Sequence, residues 1–290
     1  MYNVTVKSLA AALCISLLAV SCNSGKSEEQ IQAEKILSDA QSLYEAENYE
    51  ESIHFIDSLT RNFPGIIDVQ RNAMHLKTLV TEKITILDSI NNDLEIEKNI
   101  GLVDSLQSSF KFVKTKDMVE GYYVHKKTPA NNIIKQSNIE ARIDEFGKIY
   151  LISNLYGKSY KHTHLVAKSK SGLAETGIVE YDNALNYRFK DAGTPVEMIT
   201  FNEEKCDTLC NFISENRNEN IKLQFKGSRT HEITLGKQTK RLIDETYRFA
   251  KQKAALKKAQ DLKMFYTRKL QITRKQQRQT ATNLTGEQQN

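Results

Sequence analysis

The amino-acid sequence predicts an α+β protein in which helices lie on both sides of an antiparallel β region. Apolar residues recur every three to four positions across residues 29–110, and the same helical spacing returns across residues 236–280. Between them, residues 111–235 alternate between apolar and polar, with turn signals about every ten residues. This spacing is typical of a sandwich or a partly open barrel.

The N-terminal stretch has the composition of an export signal. Lys7 precedes the apolar run Leu9–Val20, which is too short to span a membrane because a span needs roughly 20 apolar residues. Polar residues follow directly after Cys22. We therefore expect residues 1–21 to be a cleaved signal peptide and residues 22–28 to be a polar tether.

The stretch Ala19-Val20-Ser21-Cys22 resembles the lipobox of bacterial, Bacteroidetes-like lipoproteins, although that family prefers Leu where Ala19 stands. The resemblance implies that Cys22 carries the lipid, including palmitate, and becomes the mature N-terminus. Such a protein is exported and held on a membrane by its acyl chains. Asn23 is not the Asp that signals retention at the inner membrane in enterobacterial lipoproteins. We therefore expect the protein to be anchored in the outer membrane, on either its periplasmic or its surface face.

Residues 31–64 are expected to form two amphipathic helices joined by a short turn. Ala40 occupies a close-packing position of the first helix, and Tyr49-Glu50-Glu51-Ser52-Ile53 opens the second. Pro64, twelve residues after Ser52, ends it. This pattern resembles a single tetratricopeptide repeat, which implies a helical hairpin. A lone repeat cannot bury its apolar face and needs a stacked neighbour.

A third, long helix begins near Ile66 or Ile67. Its apolar residues recur at spacings of three to four along a single face. They are Leu76, Val80, Ile84, Leu87, Ile90 (or Asn91) and Leu94, and the pattern resumes after Gly101 at Val103, Leu106 and Phe110. We expect this helix to pack on the preceding hairpin and to cover its apolar face. A coiled coil with a second chain is the alternative.

The β region is expected to contain eight or nine strands and one short helix. Predicted strands include residues 162–168, 176–182, 185–190 and 196–201. Asn202 should precede the short helix, whose first turn carries Glu203 and Glu204, as the helix dipole favours. Its buried face should consist of Cys206, Leu209, Cys210 and Ile213.

Charge is distributed unevenly along the chain. The net charge is +5, but residues 237–278 carry 14 Lys and Arg against three Asp and Glu. Export makes nucleic acid an unexpected partner, so we expect another envelope protein or an acidic envelope component. The inner half of the C-terminal helix, Ile243–Ala254, should dock on the core. The half beyond Ala255 should project into solvent, as a binding surface or as a solubilising face, and residues 281–290 should be a disordered tail.

Two groups of residues have the chemistry of a site. Cys206 and Cys210 are four apart on a predicted helix, so they form either a strained disulfide or two buried apolar thiols. His162 and His164 share the spacing of one strand face. They could bind a metal with a carboxylate from a following hairpin, Glu175 or Asp182. Otherwise they are ordinary strand residues.

We expect a non-enzymatic binding or scaffolding protein of the cell envelope. The sequence contains no nucleophile elbow and no Gly-rich phosphate loop, so no catalytic residue, cofactor or metal ligand is assigned. One alternative is a glycan or small-ligand binder that uses a Tyr-rich β surface. The tyrosines of that surface are Tyr122, Tyr123, Tyr150, Tyr156, Tyr160, Tyr181 and Tyr187. A less expected alternative is a hydrolase whose site is assembled from distant residues.

Overall fold

The computed structural model describes residues 26–129 and 135–286. Cys22 and the predicted signal peptide lie outside the described residues. The described part of the chain contains five helices and two antiparallel sheets, so the predicted α+β class is confirmed. Neither sheet is closed into a barrel. No helix among the described residues is long and apolar enough to cross a membrane.

The elements follow the predicted order of helices, strands and a final helix. The helices are α1 (Glu28–Glu45), α2 (Tyr49–Asn62), α3 (Ile67–Gln107), α4 (Glu203–Glu215) and α5 (Lys237–Gly286). The strands are β1 (Phe110–Val113), β2 (Tyr122–His125), β3 (Asn138–Asp144), β4 (Ile149–Tyr156), β5 (His164–Ser169), β6 (Gly172–Glu175), β7 (Asn186–Asp191), β8 (Thr194–Phe201), β9 (Lys222–Lys226) and β10 (Thr230–Thr234).

The chain divides into two compact units. Unit 1 contains the residues up to Lys83 and those from Arg274 onward, and unit 2 is Ile84–Thr273. In unit 1, α1 and α2 form the predicted hairpin. The buried hydroxyl of Ser52 donates to the carbonyl oxygen of Ala40 at 2.8 Å, which satisfies a polar group where the two helices pack closely.

The start of α3 completes the core of unit 1. Its buried apolar side chains are Val69, Ala73, Leu76 and Val80. The end of α5 is also part of unit 1, where Thr280 Oγ1 lies 3.0 Å from His75 Nδ1. The expectation that α3 packs on the hairpin is therefore confirmed up to Val80.

Unit 2 contains both sheets and α4. Sheet 1 has the order β1-β2-β3-β4-β8-β7, and sheet 2 has the order β10-β9-β5-β6. The inner faces of the two sheets share one core with α4 and the inner half of α5. On α5 this core includes Ile243, Tyr247, Phe249 and Ala250, so the expected docking of the inner half is confirmed.

The outer half of α5 does not project into solvent, so that expectation is wrong. Ala259 and Thr273 are buried. Asn92 on α3 donates to the Ala259 carbonyl oxygen at 2.8 Å, and Lys263 pairs with Asp93 at 2.9 Å. The prediction of a disordered tail is also wrong for residues 281–286, because α5 continues to Gly286.

From Thr85 to Asn99 the face of α3 that is buried in unit 2 is polar, whereas Val103, nearer the end of the helix, is part of the apolar core. Thr85, Asn92 and Asn99 are seven residues apart and buried, and we call them the polar seam. Gln252 of α5 donates to Asn99. The predicted apolar stripe continues on the other face and is exposed at Leu87, Ile90 and Leu94. The stripe therefore marks the buried face at Leu76, Val80 and Val103, but not between Leu87 and Leu94.

The predicted strand at residues 176–182 is wrong, because the strand is β6, which ends at Glu175. After β6 the backbone of Thr176 still donates to Leu165, at 3.0 Å. Gly177 then donates to Lys205 in α4, at 2.8 Å, so the chain leaves the strand path. The Asp182 carboxylate accepts from the backbone of Asn186 and forms a turn.

Candidate binding site

A groove follows α5 on the surface of unit 2, between that helix and the turn that joins β3 to β4. Its volume is about 530 Å³. The lining residues are Phe146, Gly147, Lys148, Glu203, Ala254, Lys257, Lys258, Asp261, Leu262 and Phe265. We call it the Phe146–Phe265 groove, after the two aromatic side chains on its opposite walls. These side chains are 60% and 54% exposed, respectively, so their rings are largely open to solvent.

The β3–β4 turn places Phe146 through local hydrogen bonds. Asp144 Oδ1 accepts from the backbone N–H of Phe146 at 2.9 Å and from that of Lys148 at 2.8 Å. Gly147 adopts φ +98°, which an L-residue rarely does. A Cβ atom at this glycine would fall 2.9 Å from Cβ of Lys253, so glycine allows the turn to approach α5 closely.

The helical wall of the groove is a stripe along α5. Ala254, Lys258, Leu262 and Phe265 follow one another at spacings of four, four and three, which puts them on one face of the helix. From Ala254 to Phe265 this wall is about 16 Å long, at 1.5 Å per residue. The groove is therefore long enough for about three turns of a second helix.

The rim of the groove carries three lysines and two carboxylates. Lys257 pairs with Asp261 within α5. Among the described residues, Lys148 and Lys258 form no ion pair. Glu203 is likewise in no ion pair among the described residues, so the groove has two unpaired ammonium groups and one unpaired carboxylate. The excess is positive, and a ligand with carboxylates would complement it.

A second, smaller groove lies on the outer face of sheet 1, with a volume of about 400 Å³. Its floor contains Tyr122 on β2, Arg142 on β3 and Tyr150 on β4. The guanidinium carbon of Arg142 is 4.5 Å from the centre of the Tyr122 ring. Arg142 Nε also donates to Glu140 Oε1 at 2.6 Å. We call these four side chains the Tyr–Arg cluster.

The predicted tyrosine surface is thus only partly assembled. The Tyr123 ring instead packs on Phe249, with ring centres 5.6 Å apart, at the inner face of sheet 1. Tyr160 packs against the core, and Tyr181 stacks with Arg188. Strand alternation puts the remaining tyrosines on the outer face of sheet 1. They are Tyr122, Tyr150, Tyr156 and Tyr187.

Unit 1 has a groove of its own between α1 and α3, with a volume of about 370 Å³. It is lined by Glu34, Leu37, Ser38, Gln41, Asn72, His75, Leu76 and Leu79. Most of these side chains are polar and already take part in contacts within the unit. His75, for example, contacts Thr280. We therefore regard this groove as the weaker candidate.

Ser153, His162 and Glu197 form a hydrogen-bonded chain inside unit 2. Ser153 Oγ lies 2.9 Å from His162 Nε2, and His162 Nδ1 lies 2.8 Å from Glu197 Oε2. This is the order of groups in a Ser–His–acid triad. However, the exposed fractions of these residues are 0%, 0% and 1%, so no substrate reaches the hydroxyl. We assign this chain a structural role.

The predicted histidine pair is separated. His162 precedes β5 and is buried, whereas His164 begins β5 and lies 3.2 Å from the Thr163 hydroxyl. The left-handed conformation of Lys161, with φ +53°, redirects the chain just before His162. Within residues 26–129 and 135–286, no group of three His, Cys, Asp or Glu side chains could hold a metal ion. Glu175 and Asp182 therefore join no such group.

Cys206 and Cys210 are buried free thiols on α4, so the alternative of two apolar thiols is confirmed. The hydrogen bond from Cys206 raises the pKa of the Cys210 thiol well above its usual 9.0, and burial adds to this effect. A thiol of this kind stays protonated and unreactive at neutral pH.

The residues that form the Phe146–Phe265 groove were not assigned to a site from the sequence. Phe146 stands at the tip of a turn, where a large apolar side chain is unusual, and Phe265 lies among the basic residues of the C-terminal helix. Both features could have indicated a binding surface from the sequence alone. Comparison with known proteins found no matching family model, curated protein or solved structure.

Proposed function

We propose that this protein is a cell-envelope lipoprotein of the binding or scaffolding type, anchored through Cys22 and without enzymatic activity. Its binding site is the Phe146–Phe265 groove, and its partner is an envelope protein that inserts an acidic amphipathic helix. The observation that carries this proposal is the combination, in one groove, of two exposed phenylalanines with the unpaired lysines Lys148 and Lys258.

The apolar floor supports a helical partner. A helix that docks in a groove inserts apolar side chains from every third or fourth position, and the wall from Ala254 to Phe265 has that spacing. Each large side chain that is buried on docking contributes about 1.5–3 kcal/mol before the costs of association. Phe146 and Phe265 are the side chains with the most exposed aromatic area to lose.

The charge of the rim supports an acidic partner. Lys148 and Lys258 border the groove, and Arg268 follows one turn after Phe265 on the same helix. Carboxylates on the polar sides of a docked helix would meet these groups. The attraction is screened by salt, because the Debye length is about 8 Å at physiological ionic strength.

Site-specific photo-crosslinking in the full-length lipidated protein tests this proposal. A photoreactive residue replaces Lys258 in the groove and, as a control, Lys168 on β5, outside the groove. We expect position 258 to capture one partner segment that carries both acidic and apolar residues, and position 168 not to capture it. Equal capture at both positions, or a basic segment at position 258, would overturn the proposal.

Affinity for the captured segment, made as a peptide, provides the second readout. Phe146→Ala with Phe265→Ala should weaken binding at least tenfold, and Lys148→Gln with Lys258→Gln should weaken binding and reduce its salt dependence. Leu173→Ala on β6 is a matched control, since Leu173 is also an exposed apolar residue but lies outside the groove. Unchanged affinity in the phenylalanine variant would contradict the groove as the site.

A further inference from the structure

We infer that the Tyr–Arg cluster on the outer face of sheet 1 is a second site, next to the Phe146–Phe265 groove, and that it binds a neutral saccharide. Tyr122, Arg142 and Tyr150 come from three consecutive strands of the sheet, β2, β3 and β4. The two tyrosines are thus two strand spacings apart, or about 10 Å. Rigid strands hold all three side chains, so the site is preformed.

Arg142 is fixed before any ligand arrives. Its Nε donates to the buried carboxylate of Glu140 at 2.6 Å, and its guanidinium plane lies over the Tyr122 ring. The carboxylate compensates the positive charge, and the guanidinium also hydrogen-bonds Tyr150, so the N–H groups that remain are donors with a set direction. An arginine that is held and neutralised in this way is suited to hydroxyl groups more than to an anion.

Two uncharged polar side chains also line the groove, Thr200 and Asn202, beside the charged groups at its edge. Thr200 on β8 supplies a hydroxyl, and Asn202 supplies an amide that makes no capping hydrogen bond to α4. Burial raises the pKa of Tyr150 to about 12, so its hydroxyl remains protonated at every physiological pH. Hydroxyls and amides both donate and accept, as the hydroxyl groups of a sugar do.

The charges at the edge of the groove disfavour an anionic ligand. Glu120, Asp144 and Glu203 face a single lysine, Lys148. Lys148 and Glu203 line both grooves, but the cluster adds Glu120 and Asp144, whereas the Phe146–Phe265 groove adds Lys258, so the two grooves differ in the sign of their excess charge. Tyrosine rings offer apolar faces with a polar rim, and the C–H faces of a sugar ring can pack on them. A neutral saccharide therefore fits both the charge and the surface of the cluster.

A glycan array that carries neutral and anionic glycans, probed with the purified protein, provides the first test. The best neutral glycan is then titrated in solution against Tyr150→Ala, Tyr150→Phe and Arg142→Lys. We expect Tyr150→Ala and Arg142→Lys to weaken binding at least tenfold. Tyr150→Phe should lose less, because it keeps the ring. Tyr187→Ala is the control, since Tyr187 shares the sheet face but lies outside the groove.

Three results would overturn the inference. They are the absence of any neutral glycan bound by the wild type, a preference for anionic glycans, and an equal loss of affinity in the Tyr187 control. Binding of an oligolysine peptide at the cluster, with no glycan bound, would assign the acidic edge to a cationic partner instead. The variant with both Phe146→Ala and Phe265→Ala should bind the glycan normally, which keeps this test separate from that of the proposed function.

Discussion

The carboxylate of Glu197 accepts two hydrogen bonds from His162, one from ring Nδ1 at 2.8 Å and one from the backbone N–H at 2.9 Å. The backbone of Lys161 donates to its other oxygen at 2.6 Å. Burial raises the pKa of Glu197, but these hydrogen bonds outweigh that effect and bring the pKa below its ordinary 4.5. An ionised carboxylate only accepts, so the Nδ1 atom of His162 carries the proton.

The first prediction concerns the stability that this carboxylate provides. Because the folded-state pKa is lowered, the stabilisation is complete above about pH 4.5 and is lost as the pH falls through the folded value. Glu197→Gln should reduce the free energy of unfolding by about 1–3 kcal/mol at pH 7. The variant should also lose less of its free energy of unfolding than the wild type as the pH falls below about 4.5. Urea denaturation at several pH values measures both, with the exposed Glu180→Gln as control, and equal stability at pH 7 would contradict the role of Glu197.

The second prediction concerns Gly147. Gly147→Ala should destabilise unit 2 by more than the about 1–2 kcal/mol that a left-handed conformation costs an L-residue, because its Cβ would also clash with Lys253. Gly193→Ala is the matched control, since Gly193 has a similar φ of +88° and no atom within 4 Å of its Cβ position. Thermal denaturation of both variants gives the difference. Equal losses of stability in the two variants would mean that the β3–β4 turn can move away from Lys253 at no energetic cost.

The third prediction concerns the end of α5. Deleting Leu262–Asn290 should lower the free energy of unfolding by about 2–4 kcal/mol, through the lost packing of one or two large side chains. The deletion also removes Thr273, which is buried, and the pairing of Lys263 with Asp93. A deletion that begins at residue 287, after the end of α5, is the control. An unchanged melting temperature after the longer deletion would contradict the observed packing of this half.

The fourth prediction concerns Cys206 and Cys210. In the native protein both thiols should resist alkylation at pH 7.4, because they are buried and the pKa of the Cys210 thiol is raised. In denaturant both should react at the rate of a free cysteine. Cys206→Ala with Cys210→Ala should lower stability by about 1–3 kcal/mol through lost packing. Mass spectrometry counts the modified thiols, and rapid labelling of the native protein would be the contrary result.

The fifth prediction concerns the anchor. Labelled palmitate should enter the wild-type protein in cells and should not enter a Cys22→Ser variant. That variant should appear in the soluble or uncleaved fraction, since stable membrane attachment takes two or more acyl chains. Cys14→Ser, within the predicted leader, is the control and should leave labelling unchanged. Absence of label from the wild type would remove the anchor from the proposed function.

The sequence was sufficient to predict the class and order of the elements, because periodicity reports local structure directly. It was less informative about what each face contacts. The stripe that includes Leu87, Ile90 and Leu94 is helical in its spacing, yet α5 packs on the opposite face, which contains Asn92. Periodicity states which residues share a face, and only the tertiary structure decides which face is covered.

The sites were harder to predict because they combine residues that are distant in sequence. Ser153 and Glu197 are brought together by the pairing of β4 with β8, and His162, from the segment before β5, hydrogen-bonds both. The Phe146–Phe265 groove similarly joins a turn to a helix more than one hundred residues later. By contrast, Cys206 and Cys210 lie on one short helix, so local reasoning was enough to predict that both are buried.

The polar seam has a mechanical consequence for α5. An apolar helix pair can slide by one heptad with little change in packing, whereas a buried amide has its partner in a single register. Asn92 donates to the carbonyl of Ala259, and Gln252 donates to Asn99, so a slip of either helix would leave buried amides without acceptors. Within unit 2, α3 and α5 are therefore held in one fixed register. Any adjustment of the Phe146–Phe265 groove to a ligand must come from its side chains and the β3–β4 turn, and not from a ratcheting movement of the helix.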